Sequence, residues 1–154
     1  MNFKKIITII LIILWMILVF YLSNQVSDDS KRLSGGFTRK VLQVLHILDG
    51  KTIEEQGAIE NTFRKLAHFC LYTLGGILIL SHINLYKITD KKKVFISWIL
   101  GTIYAISDEI HQLFVPGRSG EIRDVCLDSL GLITGIILLL IFLKFIERRK
   151  KIGE

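Results

Sequence analysis

Proline is almost missing from this chain: Pro116 is the only one in 154 residues. Loop-rich and disordered proteins use far more, so long regular segments are expected. Cysteine is nearly as scarce. Cys70 and Cys126 stand singly, without the Cys-x-x-Cys spacing of a zinc or redox site, and no such centre follows from them. Charge is missing over four stretches. Ile6–Leu22, Leu66–Tyr86, Val94–Ser107 and Ser129–Leu143 contain no Asp, Glu, Lys or Arg. What is there is mostly apolar, with 51% hydrophobic residues and a mean hydropathy of +0.49, above what a soluble domain of this length usually carries. The net charge of +6 would suit a nucleic-acid partner, but the basic residues flank the apolar runs, which fits membrane topology better.

A helix rises 1.5 Å per residue, so about 20 apolar residues cross the hydrocarbon core. Ile6–Leu22, preceded by Lys4 and Lys5, is just long enough, and no Ala-x-Ala-like site follows it, so an uncleaved span is expected rather than a signal peptide. Leu66–Tyr86 is a second span. The third and fourth runs have only 14 and 15 residues. They reach across only by taking in Asp108, Glu109, His111 and Gln112 in one case and Asp124 and Asp128 in the other. The expected spans are about 6–22, 66–86, 94–115 and 124–143, in one membrane domain over 1–154. Between the first two, Phe37, Val41, Val44, Leu45 and Leu48 follow helical spacing, with Gly50 placed to end a short amphipathic helix. Thr52 and Glu55 form a capping-box pattern for a helix that runs on into the second span. The fold class is therefore all-α: an integral membrane bundle of four transmembrane helices with a short amphipathic extracytoplasmic helix.

Four spans place both termini and the Lys87–Lys93 loop on one side. That side holds eleven basic and three acidic residues, against nine and eleven on the other. The positive-inside rule then puts both termini in the cytoplasm of a cytoplasmic-membrane protein. The acids of the third and fourth spans face outward.

Those acids form stripes at helical spacing. Tyr104, Asp108, His111 and Gln112 share one, with Glu109 at its margin. Asp124, Asp128, Gly131 and Gly135 share a second, and Arg64, His68, Tyr72 and Gly75 a third. Gly131-x-x-x-Gly135 suits close helix contact, so the acids on its face should point into the bundle. Ionisable groups at membrane depth are costly and are paired, wet or functional. Arg64, Lys65, Arg118 and Arg123 are near enough in sequence depth to supply partners. A closed salt-bridge network that pins the helix ends is the structural alternative to a working pocket. Within a pocket three chemistries stay open. Glu109 or His111 would do acid–base catalysis. His68, Asp108, His111 and Asp128 would ligate a divalent metal. Arg64, Arg118 and Arg123 would bind an anionic head group, with the acids holding them. The expected binding residues are Arg64, His68, Asp108, Gln112, Arg118, Asp124 and Asp128. The sequence names no cofactor and leaves metal binding and enzymatic activity open.

Tyr21-Leu22-Ser23-Asn24-Gln25, Arg64-Lys65-Leu66-Ala67-His68-Phe69 with Tyr72, and the run from Ser107 to Arg118 together resemble the VanZ-like family of bacterial membrane proteins, as do Asp124-Val125 and Asp128-x-x-Gly131. The resemblance covers most of the chain and is most specific in the Ser107–Arg118 run. It implies a multi-pass helical envelope protein. The family's namesake is associated with resistance to the glycopeptide teicoplanin, and the family often has asparagine where Asp128 stands. The expected function is an envelope protein whose outward polar pocket binds a lipid-linked or peptidoglycan-related anionic group and modulates glycopeptide sensitivity. The alternatives are an acid–base or metal-dependent enzyme on a lipid-linked substrate, and a purely structural or partner-binding bundle. The expected partners are membrane lipid and a lipid-linked cell-wall precursor, with no nucleic acid. The oligomeric state stays open.

Overall fold

The computed structural model describes residues 3–24, 37–115 and 120–152, and every regular element among them is an α-helix: α1 (Phe3–Ser23), α2 (Phe37–Val44), α3 (Ile53–Ile83), α4 (Asp90–Gln112) and α5 (Ile122–Ile152). Three of these, α1, α3 and α5, are long and apolar enough to cross a membrane. α4 is long enough at 23 residues, but it begins on Asp90-Lys91-Lys92-Lys93 and ends on Asp108-Glu109-Ile110-His111-Gln112, so charge interrupts its apolar centre. The four expected spans thus reduce to three helices with a plain membrane signature and a fourth that lacks one. The apolar surface is that of a membrane protein. Ile10, Leu14 and Ile17 on α1, Ile103 and Ile106 on α4, and Ile141 and Phe142 on α5 all lie exposed.

α3 starts where the capping box predicts. The Thr52 hydroxyl accepts from the Glu55 backbone N–H, and the Glu55 carboxylate accepts from the Thr52 N–H at 2.8 Å. The helix then continues without a break through the second apolar run. Before it, α2 ends at Val44, earlier than Gly50. The chain reverses through His46 and Gly50, both at positive φ (55° and 70°). Val41, Val44 and Leu45 remain exposed, while Leu42 and Leu48 are buried. The apolar spacing was legible, but the buried face lies to one side of the expected stripe.

α3 and α5 make the most extensive pairing. α4 packs on both, and α1 lies chiefly along α3. Glycine lets α3 and α5 touch backbone to backbone. A Cβ on Gly131 would sit 2.7 Å from the Phe69 carbonyl oxygen, and one on Gly135 or Gly76 would collide with the carbonyl oxygens of Thr73 and Leu132 respectively. The core is aromatic. Trp15 sits against Gly75, edge-on to Tyr72 with ring centroids 5.7 Å apart, and its indole N–H donates to the Leu71 carbonyl at 2.8 Å. The Tyr104 hydroxyl donates to the Met16 carbonyl at 2.6 Å. Polar clips at both ends fix α1 on the bundle: Thr8 with His82 (2.7 Å) at one end, and Ser23 with Asp108 (2.7 Å) at the other. One end of the bundle therefore holds Ser23, His68, Asp108 and Asp128, and the opposite end holds Lys5, His82 and Tyr86.

Candidate functional site

The three polar stripes converge. Helical spacing puts Asp108 and Gln112 on the inner face of α4, Asp124 and Asp128 on that of α5, and Arg64, His68 and Tyr72 on that of α3. The backbone contact at Gly131 draws α3 and α5 together just below the acids. His68, Glu109, Gln112, Asp124 and Asp128 line a small cleft there, with Arg64, Lys65 and Leu127. Asp108, Glu109, Gln112 and Asp128 are buried, although three of the four are acids.

Asp108 is held from two sides. The Ser23 hydroxyl and the Gln112 amide both donate to its Oδ2, at 2.7 and 3.1 Å. Its Oδ1 is buried without a hydrogen-bond partner. Asp128, 1% exposed, has no hydrogen-bond partner on either oxygen, and the His68 Nδ1 lies 3.8 Å from its Oδ2. Ligand atoms of His68, Asp108 and Asp128 all lie within 4.8 Å of one another. The Tyr72 hydroxyl, fully buried, is another donor without a partner, and its ring stacks on His68. Unpartnered buried polar atoms are rare in folded proteins, and their concentration at one place calls for a physical reason.

At the rim the chemistry is different. The Lys65 ammonium meets Asp124 at 2.7 Å and Glu121 at 3.5 Å. Glu109 accepts from the Glu121 backbone N–H at 2.9 Å, which ties α4 to the start of α5. Lys65, Glu121 and Asp124 are partly solvated, so the Lys65 pair is worth little. Lys65→Gln is expected to lower stability by no more than about 1 kcal/mol, checked by thermal unfolding of the detergent-purified protein.

Most of the expected residues come together, but in new roles. Asp108, Gln112, Asp128 and His68 meet in the interior, and Asp124 sits at the rim. His111 does not join them: its ring stacks on Phe20 of α1, centroids 4.4 Å apart, and its Nε2 is buried without a partner. The metal grouping is thus His68, Asp108 and Asp128, without His111. The arginines are not deep either. Arg64, half-buried at the edge of the cleft, donates to Asn61 at 2.8 Å in an exposed hydrogen bond, and Arg123 is exposed. Arg118 lies outside the described residues. Two residues escaped the sequence argument. Ser23 ends an otherwise apolar helix. It falls in the segment from Tyr21 to Gln25 that resembles the family, but no helical stripe marked it as a site residue. Glu121 follows Pro116–Gly120 and belongs to no stripe.

The VanZ/LLP1 family model matches residues 8–143, from the first helix to well into the last. The chain belongs to this family. Neither the curated proteins nor the solved structures give a match. Family membership together with the exposed apolar helices makes this a VanZ-like membrane protein. The matched segment contains every residue that lines the cleft, from Arg64 through Asp128.

Proposed function

We propose that the protein is a four-span envelope protein of the bacterial cytoplasmic membrane, both termini cytoplasmic, whose outer-leaflet cleft binds the anionic head group of a membrane lipid or lipid-linked cell-wall precursor. The carrying observation is the cleft itself, lined by Arg64, Lys65, His68, Glu109, Gln112, Asp124 and Asp128 at one end of an otherwise apolar bundle. Polar side chains at such depth are costly in a bilayer and are kept where they meet a ligand or one another. Here Asp128 has no hydrogen bond on either oxygen, and Asp108 and Tyr72 beside it each keep one bare polar atom. The charge distribution supports the topology. Lys4, Lys5, the four loop lysines and the basic tail cluster at the end opposite the cleft, as the positive-inside rule requires of a cytoplasmic face. α4 crosses as the fourth span because α1, α3 and α5 shelter its polar end.

Arg64 and Arg123 stand at the mouth, where a phosphate from the outer leaflet would arrive first. Engagement of a wall precursor there would make the protein a modulator of glycopeptide sensitivity, as the family's namesake suggests, and its loss would shift the teicoplanin response.

A photo-reactive amino acid at position 122 tests this, because Ile122 is 84% exposed at the start of α5 beside the cleft. Irradiation in living cells is expected to capture a phosphorylated lipid or precursor, identified by mass spectrometry. Arg64→Ala is expected to reduce the yield about tenfold, the worth of one charge-assisted hydrogen bond. Absence of lipid adducts, or a yield that ignores Arg64→Ala, overturns the head-group reading.

A further inference from the structure

We propose that His68, Asp108 and Asp128 form a binding site for a divalent cation. This deepens the head-group reading and rests on the same cleft. One ligand comes from each of the three helices that close it: His68 from α3, Asp108 from α4 and Asp128 from α5.

The case begins with what is left over. Asp108 uses Oδ2 to accept from Ser23 and Gln112 and turns a bare Oδ1 to the interior. Carboxylates that ligate metals are held in this way, one oxygen fixed by outer hydrogen bonds and the other on the ion. Asp128 is almost completely buried with both oxygens bare. The neighbouring cation that would be the simplest partner is committed elsewhere, since Lys65 pairs with Asp124 and Glu121 at the rim. His68 alone cannot neutralise two carboxylates. A divalent ion can, and charges that coordinate a metal tolerate burial.

The geometry allows it. Bonds of about 2.0–2.2 Å put two ligands of one ion no more than about 4.4 Å apart, so ligand atoms already within 4.8 Å need only small side-chain adjustments. One nitrogen and carboxylate oxygens, without sulfur, suit Mn²⁺ or Zn²⁺. Three protein ligands leave coordination positions open. Because His68 and Asp128 line the cleft, those positions face the ligand that enters it. A lone cleft of acids would repel a phosphate. With a cation at its floor and arginines at its mouth, the same cleft attracts one.

The test uses the full chain in a maltoside detergent, stripped with EDTA and dialysed. Mn²⁺ alone is titrated and its free fraction read by electron paramagnetic resonance, with Zn²⁺ as competitor. Mn²⁺ binds thiolates weakly, which keeps exposed Cys70 and Cys126 out of the readout. The expected result is one saturable site that Zn²⁺ displaces. Asp128→Asn and His68→Gln are each expected to weaken it more than tenfold. Ser23→Ala removes a hydrogen bond on Asp108, not a ligand, and is expected to weaken it about tenfold. No saturable binding by the native chain, or binding unchanged in Asp128→Asn and His68→Gln, overturns the site. If Asp128→Asn does not accumulate, His68→Gln and Ser23→Ala decide between these outcomes. A chain that captures lipid but takes no Mn²⁺ loses the cation site alone. A chain that takes Mn²⁺ but captures no lipid loses the head-group reading alone.

Discussion

Asp128→Asn is expected to make the EDTA-treated protein more stable, by about 1–3 kcal/mol. Asp128 is 1% exposed, has no hydrogen bond on either oxygen and lies close to Asp108. Two carboxylates that share a buried site repel each other when both are ionised, and each has also lost its water. An amide is nearly isosteric, removes one charge and offers an N–H to the bare oxygen of its neighbour. Thermal unfolding in detergent with EDTA measures the effect, and repeating it with Mn²⁺ narrows or reverses the difference, since the native chain binds the ion more tightly and gains more from it. The opposite result in EDTA, a loss of about 3–5 kcal/mol, is what breaking a buried ion pair costs. It would mean that His68 and Asp128, 3.8 Å apart, form a structural pair and that the acids serve the fold.

Gly135→Val is expected to remove the folded protein from detergent extracts. In water, apolar helices are pressed together by solvent. In lipid that force vanishes, and close backbone packing takes its place. The α3–α5 seam is built this way, with Gly135 on the Thr73 carbonyl, Gly131 on that of Phe69, and Gly76 returning the contact to Leu132. Overpacking a tight site costs about 1–3 kcal/mol when flexible side chains can yield. Here the obstacle is a helical carbonyl, so the helices must separate and the expected loss lies at or beyond the upper end of that range. Because the cleft sits directly above Gly131, any spreading of the seam also moves Asp128 away from His68. Gly57→Ala is the control. A Cβ there meets nothing within 4 Å, and the gain in helix propensity is expected to leave stability unchanged or raise it by up to about 1 kcal/mol. Equal yields of Gly135→Val and native protein would show that the seam is not a close backbone contact.

How much of this could be read in the sequence depended on whether a feature was local. Helical period alone grouped Asp108 with Gln112 and Asp128 with Gly131 and Gly135, and it put them on inner faces. The Thr52–Glu55 cap was legible for the same reason: both partners lie within one turn. Contacts between helices were not. His111 shares its stripe with Asp108, yet the Phe20 ring, on a helix without a polar stripe, takes it away from the acids. Ser23 comes to Asp108 across 85 positions, and nothing in its own segment points there. Charge count misled in another way. Three arginines near the acids suggested buried pairs, but the long side chains of Arg64 and Arg123 stay toward the surface, as flexible cations at membrane ends do.

The mixed character of α4 bears on how the protein is made. A translocon judges each segment largely on its own, by the length of its uninterrupted apolar run. α1 and α3 pass that test unaided. α4, with Asp90 and three lysines at one end and Asp108 and Glu109 at the other, does not, and the helix that buries it most, α5, has not yet been synthesised when α4 leaves the ribosome. On the four-span reading proposed above, α4 would enter the bilayer only together with α5, with Ser23 of the first helix already in place to receive Asp108. Cells that truncate translation after about residue 115 would hold a fragment with a stranded acidic segment, a natural substrate for membrane quality control rather than a half-built pocket.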